Sequence, residues 1–143
     1  MINKRGYFGI ALFEIKFVEN VASILRSCKC FNANFICIIN GRFDINKIDT
    51  THCERHIPIF QYENLDNFLK TIPLNVSLIG IEVDGKNIKN FSHPERAIYV
   101  FGGEDRTLPK IFKERIAIPT QHCLNVSIAT SIVMFDRIVK GCD

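Results

Sequence analysis

Three short stretches of this chain carry residue types whose spacing could do chemistry. In Ile118-Pro119-Thr120-Gln121-His122-Cys123-Leu124-Asn125-Val126-Ser127-Ile128-Ala129 a polar, turning segment runs directly into an apolar helix. Asn125 is a good N-cap candidate and Ser127 can serve the same orphan amides, so unpaired backbone N–H groups would face whatever sits in the preceding loop. The second stretch, Gly102-Gly103-Glu104-Asp105-Arg106-Thr107-Leu108-Pro109, follows an apolar run. A glycine pair there suits a turn that needs positive φ or a close approach of backbone to backbone. The third stretch is Glu14–Asn20 with Arg26 six residues beyond Asn20. Taken singly, Asn20 reads as a helix cap and Arg26 as a solvated or ion-paired surface residue.

Positioning these stretches takes alternating strands and helices. Tyr7–Phe13 (YFGIALF) suits a strand buried on both faces, and Glu19–Phe31 places Val21, Ile24, Leu25 and Cys28 on one helical face. Phe35–Ile39 (FICII), Val76–Val83 (VSLIGIEV) and Ala97–Phe101 (AIYVF) read as further buried strands. Asn64–Ile72 reads as a helix that Pro73 ends. Lys110–Glu114 is read as one helical turn, Arg115–Ile118 as a last strand and Val126–Val139 as the terminal helix. This alternation implies an α/β fold: a mostly parallel sheet with helices on both faces, whose ligands gather beyond the carboxyl ends of the strands. The polar, poorly periodic segment Arg42–Arg55 reads as a loop that contacts substrate or is simply solvated.

Composition bounds the function. A chain of 143 residues is read as one domain, residues 1–143, able to bury roughly two thirds of its unfolded surface. Its apolar runs fall far short of the ~20 residues of a membrane span, and no signal-like segment follows the basic start, so the expected location is cytoplasmic. The formal net charge of +3 is spread over both halves, which permits nucleic acid without demanding it. The six cysteines, Cys28, Cys30, Cys37, Cys53, Cys123 and Cys142, match no zinc or redox spacing and are read mainly as small buried apolar residues. His52, Cys53 and His56 form the one cluster resembling metal ligands. They lack an evident fourth partner, and no metal is expected. GxGxxG after the first strand, GxxxxGK[ST] and GxSxG are all missing, which removes the usual nucleotide-binding and acyl-transfer readings.

Taken together, the three stretches resemble the SpoU/TrmH family of the SPOUT methyltransferases, which methylate the ribose 2′-hydroxyl in tRNA or rRNA. The match runs from about Tyr7 to Lys140. It rests on N-x5-R (Asn20, Arg26), on GxExxGLP (Gly102, Glu104, Leu108, Pro109) and on IP…SLNVS (Ile118, Pro119, Leu124, Asn125, Val126, Ser127). His93-Pro94-Glu95 is similar to short, single-domain members. Ala22 and Cys123 depart from the usual Gly and Ser of the motifs. Thr107 replaces a Gly, and because a β-branched residue tolerates positive φ badly, the turn or the cofactor loop there is expected to be rebuilt.

The resemblance implies a C-terminal trefoil knot, which periodicity alone does not reveal. It implies S-adenosylmethionine held largely by backbone groups, with Gly102, Ile118 and Leu124 at matching positions and Phe101, Gly103 and Cys123 beside them. It places Arg26 at the step in which the ribose hydroxyl loses its proton. A guanidinium is a poor proton acceptor, so a second role is read beside the family's base assignment: stabilising the developing alkoxide and gripping a phosphate. Asn20, Glu104, Ser127 and Asn125 are expected to orient Arg26, the ribose and the cofactor loop, with Glu104 able to pair with Arg26.

A homodimer is expected by the same resemblance. The apolar helix faces that include Ile24, Ile132 and Phe135 can serve as core or as interface. Lys16, Arg42, Lys47, Arg55 and Arg106 are candidate RNA contacts. tRNA is favoured over rRNA because larger rRNA-directed relatives often carry an extra N-terminal domain. The alternatives are the same reaction on rRNA, a non-catalytic knotted RNA-binding protein, and a small-molecule-binding doubly wound domain.

Overall fold

The computed structural model describes residues 6–41, 57–103 and 107–141. Their elements run β1 (Tyr7–Phe13), α1 (Val18–Cys30), β2 (Phe35–Ile39), β3 (Ile59–Tyr62), α2 (Leu65–Lys70), β4 (Ser77–Asn87), a 3₁₀ turn (Ile88–Asn90), β5 (Arg96–Gly102), β6 (Glu114–Ala117) and α3 (Val126–Val139). The six strands form one sheet in the order β3-β2-β1-β5-β4-β6, and every pairing is parallel.

Alternation along each strand feeds two cores. Phe8, Ile10 and Leu12 of β1 and Ala97, Tyr99 and Phe101 of β5 pack with Val21, Ile24 and Leu25 of α1 and Val133 and Met134 of α3. The intervening Ala11, Ile98 and Val100 pack on the other face with Phe68 of α2, Leu108 and Phe112. Helices thus cover both faces, which is why the central strands read as continuous apolar runs.

Several boundaries differ from the sequence reading. β3 was not expected: four residues (IFQY) at the sheet edge, two of them exposed, carry too little apolar pattern to announce a strand. β4 runs on to Asn87, past the expected Val83. It pairs with β6 through Ile81, lets go, and pairs again from Lys86, so that Ile116 is matched twice. Gly85 lies in this gap, where a Cβ would stand 2.5 Å from the backbone carbon of Ile116. Lys110 and Ile111 form a turn rather than a helical turn, closed by the Phe112 N–H on the Pro109 carbonyl at 3.2 Å, and β6 starts at Glu114.

Asn20 is not the cap of α1. The helix begins at Val18 after an uncapped Phe17, and Asn20 sits inside its first turn, its N–H bonded to the Phe17 carbonyl. The cysteines also split. Cys28 and Cys37 are buried, but Cys30 and Cys123 are exposed, and Cys53 and Cys142 lie outside the described residues.

Candidate functional site

The carboxyl ends of β1, β2 and β5 are drawn together by backbone. Glu14, at φ 55°, donates its N–H to the Ile39 carbonyl, and the Gly103 N–H reaches the Phe13 carbonyl at 3.1 Å. A Cβ on Gly103 would stand 2.8 Å from the Glu14 carbonyl oxygen. The glycine therefore answers a close approach, not a turn at positive φ. Among the described residues Glu14, Asn32 and Asn40 are the non-glycine residues at positive φ; residues 104–106, which lead into Thr107, lie outside them.

Beyond these strand ends lies a cleft of about 150 Å³, partly open to solvent, lined by Ile81, Glu82 and Val83 from β4, Phe101, Gly102 and Gly103 from β5, and Ile118, Thr120, Cys123, Leu124, Val126 and Ala129 from the last segment. All six residues expected to line a cofactor site, Phe101, Gly102, Gly103, Ile118, Cys123 and Leu124, stand in it.

The start of α3 forms one wall. Asn125 caps the helix, its Oδ1 accepting from the Ser127 N–H at 2.8 Å and from the Ser127 hydroxyl at 2.6 Å. Its Nδ2 donates to Oδ1 of Asn20 at 2.9 Å, which joins α1 to α3 across 105 residues of sequence. A second tie follows a few turns along, where the Ser131 hydroxyl donates to that of Ser27 at 2.9 Å. Asn20, Asn125 and Ser127 are thus one cluster. Arg26 is exposed on α1 and makes no hydrogen bond or ion pair with a described residue; it does not line the cleft. Glu104 and Arg106 lie outside the described residues, as do Arg42, Lys47, Arg55 and the His52, Cys53, His56 group. Lys16 is exposed. Among the described residues no group of three His, Cys, Asp or Glu is placed to hold a metal.

Glu82 escaped the sequence reading. It lines the cleft, and its carboxylate accepts a hydrogen bond from the Leu108 N–H, so it anchors the far end of the glycine loop. Its place at the carboxyl end of a buried parallel strand was the available signal.

A second polar cluster holds α3 from its other end. The Arg137 side chain is fully buried, donates to the Pro94 and Glu95 carbonyls and to the Tyr99 hydroxyl oxygen, and lies over the Phe8 ring. His93 bridges the Tyr99 hydroxyl and Asp136, each at 2.6 Å, and Lys140 reaches the same Asp136 oxygen at 2.8 Å. A neutral imidazole suits this chain: Nδ1 accepts from Tyr99 and Nε2–H donates to Asp136. Burial pushes the His93 pKa below its ordinary value, against the opposing pull of Asp136.

A parallel, doubly covered sheet with a cleft across its strand ends, walled by a capped helix start, defines an α/β domain built to hold a small cofactor or nucleotide-like ligand. The family model for the SpoU rRNA methylase family matches residues 7–135, and the chain belongs to that family. Its class is that of S-adenosylmethionine-dependent RNA methylases.

The chain is 23% identical, over 92% of its own length and 90% of the relative's, to a Mycoplasma pneumoniae protein provisionally named a tRNA (cytidine(34)-2′-O)-methyltransferase. Among solved structures it resembles one described for the 2′-OH methylation of C/U34 on tRNA, with a TM-score of 0.81, 15% identity, and coverage of 94% of this chain and 96% of that one. It also resembles the SpoU methyltransferase AviRb from Streptomyces viridochromogenes in complex with AdoMet, with a TM-score of 0.84 and 14% identity, covering 97% of this chain. The chain spans 59% of the length of AviRb.

Proposed function

We propose that this protein methylates a ribose 2′-hydroxyl of tRNA, as a homodimer in the cytoplasm. The observation that carries the reading is the cluster of Asn20, Asn125 and Ser127, which ties the helix bearing Arg26 to the wall of the cleft.

The cleft suits S-adenosylmethionine on its own chemistry. Phe101, Ile118, Leu124 and Val126 offer an apolar slot for adenine, and the backbone at Gly102–Gly103 lines it. Bound there, S-adenosylmethionine would supply an electrophilic methyl group, and the ribose hydroxyl that accepts it would release its proton to solvent. This chain's residues contribute position and charge. The Asn20–Asn125 bridge fixes α1 against α3, Glu82 holds the loop at Leu108, and Arg26 steadies the developing alkoxide and the adjacent phosphate. Glu104 pairs with Arg26 in this reading.

Arg26 stands outside the cleft of its own chain, so a second copy is part of the proposal. Ile128 and Phe135 are more than half exposed on α3 and line a shallow apolar groove with Phe31 and Ile132 next to Ser27, the neighbour of Arg26. Ile24, by contrast, is fully buried in its own core. A dimer through this face covers the groove and sets Arg26 at the rim of the joint site. The C-terminal trefoil knot also belongs to the proposal. It is supported by β6 lying outside β4 while β5 lies inside it, and by Gly85 lying against the Ile116 backbone. Among the described residues no helix is long and apolar enough to cross a membrane.

The test is incubation of the purified protein with S-adenosylmethionine and, separately, tRNA and rRNA, followed by nucleoside mass spectrometry. A 2′-O-methylated nucleoside from tRNA is expected. Methylation of rRNA alone replaces the substrate, and methylation of neither RNA, with no heat of S-adenosylmethionine binding, overturns the reading. Arg26→Lys should lose most of the turnover, because an ammonium cannot replace a planar fork.

A further inference from the structure

On the far side of the β4 excursion lies a second hollow, about 630 Å³, between Asp84–Lys86 on one side and Thr107–Lys113 on the other. It is basic. Lys86, Lys110 and Lys113 line it, are exposed, and make no ion pair or hydrogen bond with a described residue. Asp84 is the single acid among the described residues of the lining.

Arg115 builds the groove instead of binding in it. Its side chain is 13% exposed, its Nε donates to the Phe112 carbonyl at 2.7 Å, and its Nη2 donates to the Leu108 and Pro109 carbonyls at 3.1 Å each. Nη1 reaches Asp84, itself 67% exposed, at a loose 3.4 Å. One guanidinium thus ties the two banks together while its charge stays only weakly compensated. Four cations around one hollow repel one another, a cost that an anionic partner removes.

The groove shares a wall with the cleft described above. Glu82 and Val83 line the cleft, and the next three residues line the groove. We infer that this groove carries the phosphate backbone of the RNA whose ribose is methylated, with Lys86, Lys110 and Lys113 as phosphate contacts. The inference rests on the RNA-methylating reading and extends it to a surface on the opposite side of the β4 excursion from the cleft.

The chemistry of the lining selects a polynucleotide over a free nucleotide. A compact di- or triphosphate is met by a nest of backbone N–H groups or by bidentate guanidinium forks. Here the guanidinium is spent on carbonyls, and what lines the hollow is three separate, exposed lysines. Such point charges suit a string of single phosphates.

The test compares the parent protein with a Lys86→Gln, Lys110→Gln, Lys113→Gln triple variant in RNA binding over a range of salt concentrations, with S-adenosylmethionine calorimetry alongside. A second triple variant, Lys29→Gln, Lys70→Gln, Lys89→Gln, removes the same charge from exposed sites elsewhere. Each lost phosphate contact lowers the slope of log K against log salt by roughly 0.7–0.9, so the groove variant should lose about two units and bind RNA at least about tenfold more weakly at moderate salt. Its affinity for S-adenosylmethionine should be unchanged. Three outcomes overturn the inference. If the parent binds RNA and the groove variant matches its affinity and slope, the groove fails while the methylase reading stands. If the Lys29/Lys70/Lys89 variant loses as much, the effect is net charge alone. If the parent binds no RNA, both readings fall together.

Discussion

Replacing Asn125 with alanine removes three hydrogen bonds at once: those from the Ser127 N–H and hydroxyl, and the one to Asn20. Loss of an N-cap costs about 1 kcal/mol. The exposed bridge to Asn20 adds about 0.5–1 kcal/mol. For a domain of this size each kcal/mol moves Tm by roughly 3–5 °C, so Asn125→Ala should melt about 5–8 °C below the parent. Asn125→Asp keeps the acceptor oxygen and puts an anion at the helix start, so it should recover most of that loss. The Asn20→Ala, Asn125→Ala cycle should show a coupling of about 0.5–1 kcal/mol in thermal or urea unfolding. In the methyl-transfer assay Asn125→Ala should cost roughly a hundredfold in kcat/KM, or about 2.7 kcal/mol. A melting temperature within about 1 °C of the parent, together with strict additivity in the cycle, would refute the reasoning that α1 is held to the cleft wall through this residue.

Two further outcomes follow from titrating groups. Burial pushes the Cys37 thiol up to about 12 despite its hydrogen bond with Tyr62, so at mildly alkaline pH it stays protonated. Mass-mapped alkylation of the native protein should modify exposed Cys30 and Cys123 and spare Cys37 and Cys28. S-adenosylmethionine should slow the reaction at Cys123 alone, and equal protection of Cys30 would contradict the placement of the donor. For His93 the folded pKa lies below the unfolded value of 6.5. Both states are neutral well above 6.5, and as pH falls through 6.5 the unfolded chain takes up a proton that the folded chain refuses. Stability should therefore be level at neutral pH and decline below 6.5, with Asp136, Lys140, Arg137 and Tyr99 being the groups that face the ring. A ring whose proton resonances titrate at or above 6.5 in the folded protein would overturn this.

The sequence spoke most clearly where apolar runs were bounded by turns. β1, β2 and α3 have the boundaries that their patterns predict, since both faces of those strands and one face of that helix are buried. It was least clear where polar residues do structural work. The last residues of β4 are exposed and polar, and their strand geometry comes from pairing with β6 rather than from propensity. Glu82 and His93 each depend on partners 26 and 43 residues away, which no local pattern encodes. The six residues expected beside a cofactor line one cleft because two of the three motifs sit at neighbouring strand ends, whereas Asn20, read singly as a cap, instead bridges to Asn125. Arg26 was legible as a residue type at a spacing, but its distance from the cleft was not.

The bridge between Asn20 and Asn125 also bears on how the protein is made. A chain grows from its amino end, so α1 leaves the ribosome long before α3 exists. β1, α1 and β2 can already fold on one another at that stage, while the cleft still lacks its wall and Asn20 lacks its partner. The cleft is therefore completed only when the last segment of the chain has emerged. β4 and β5 supply one side of it earlier, and residues 118–129 close it.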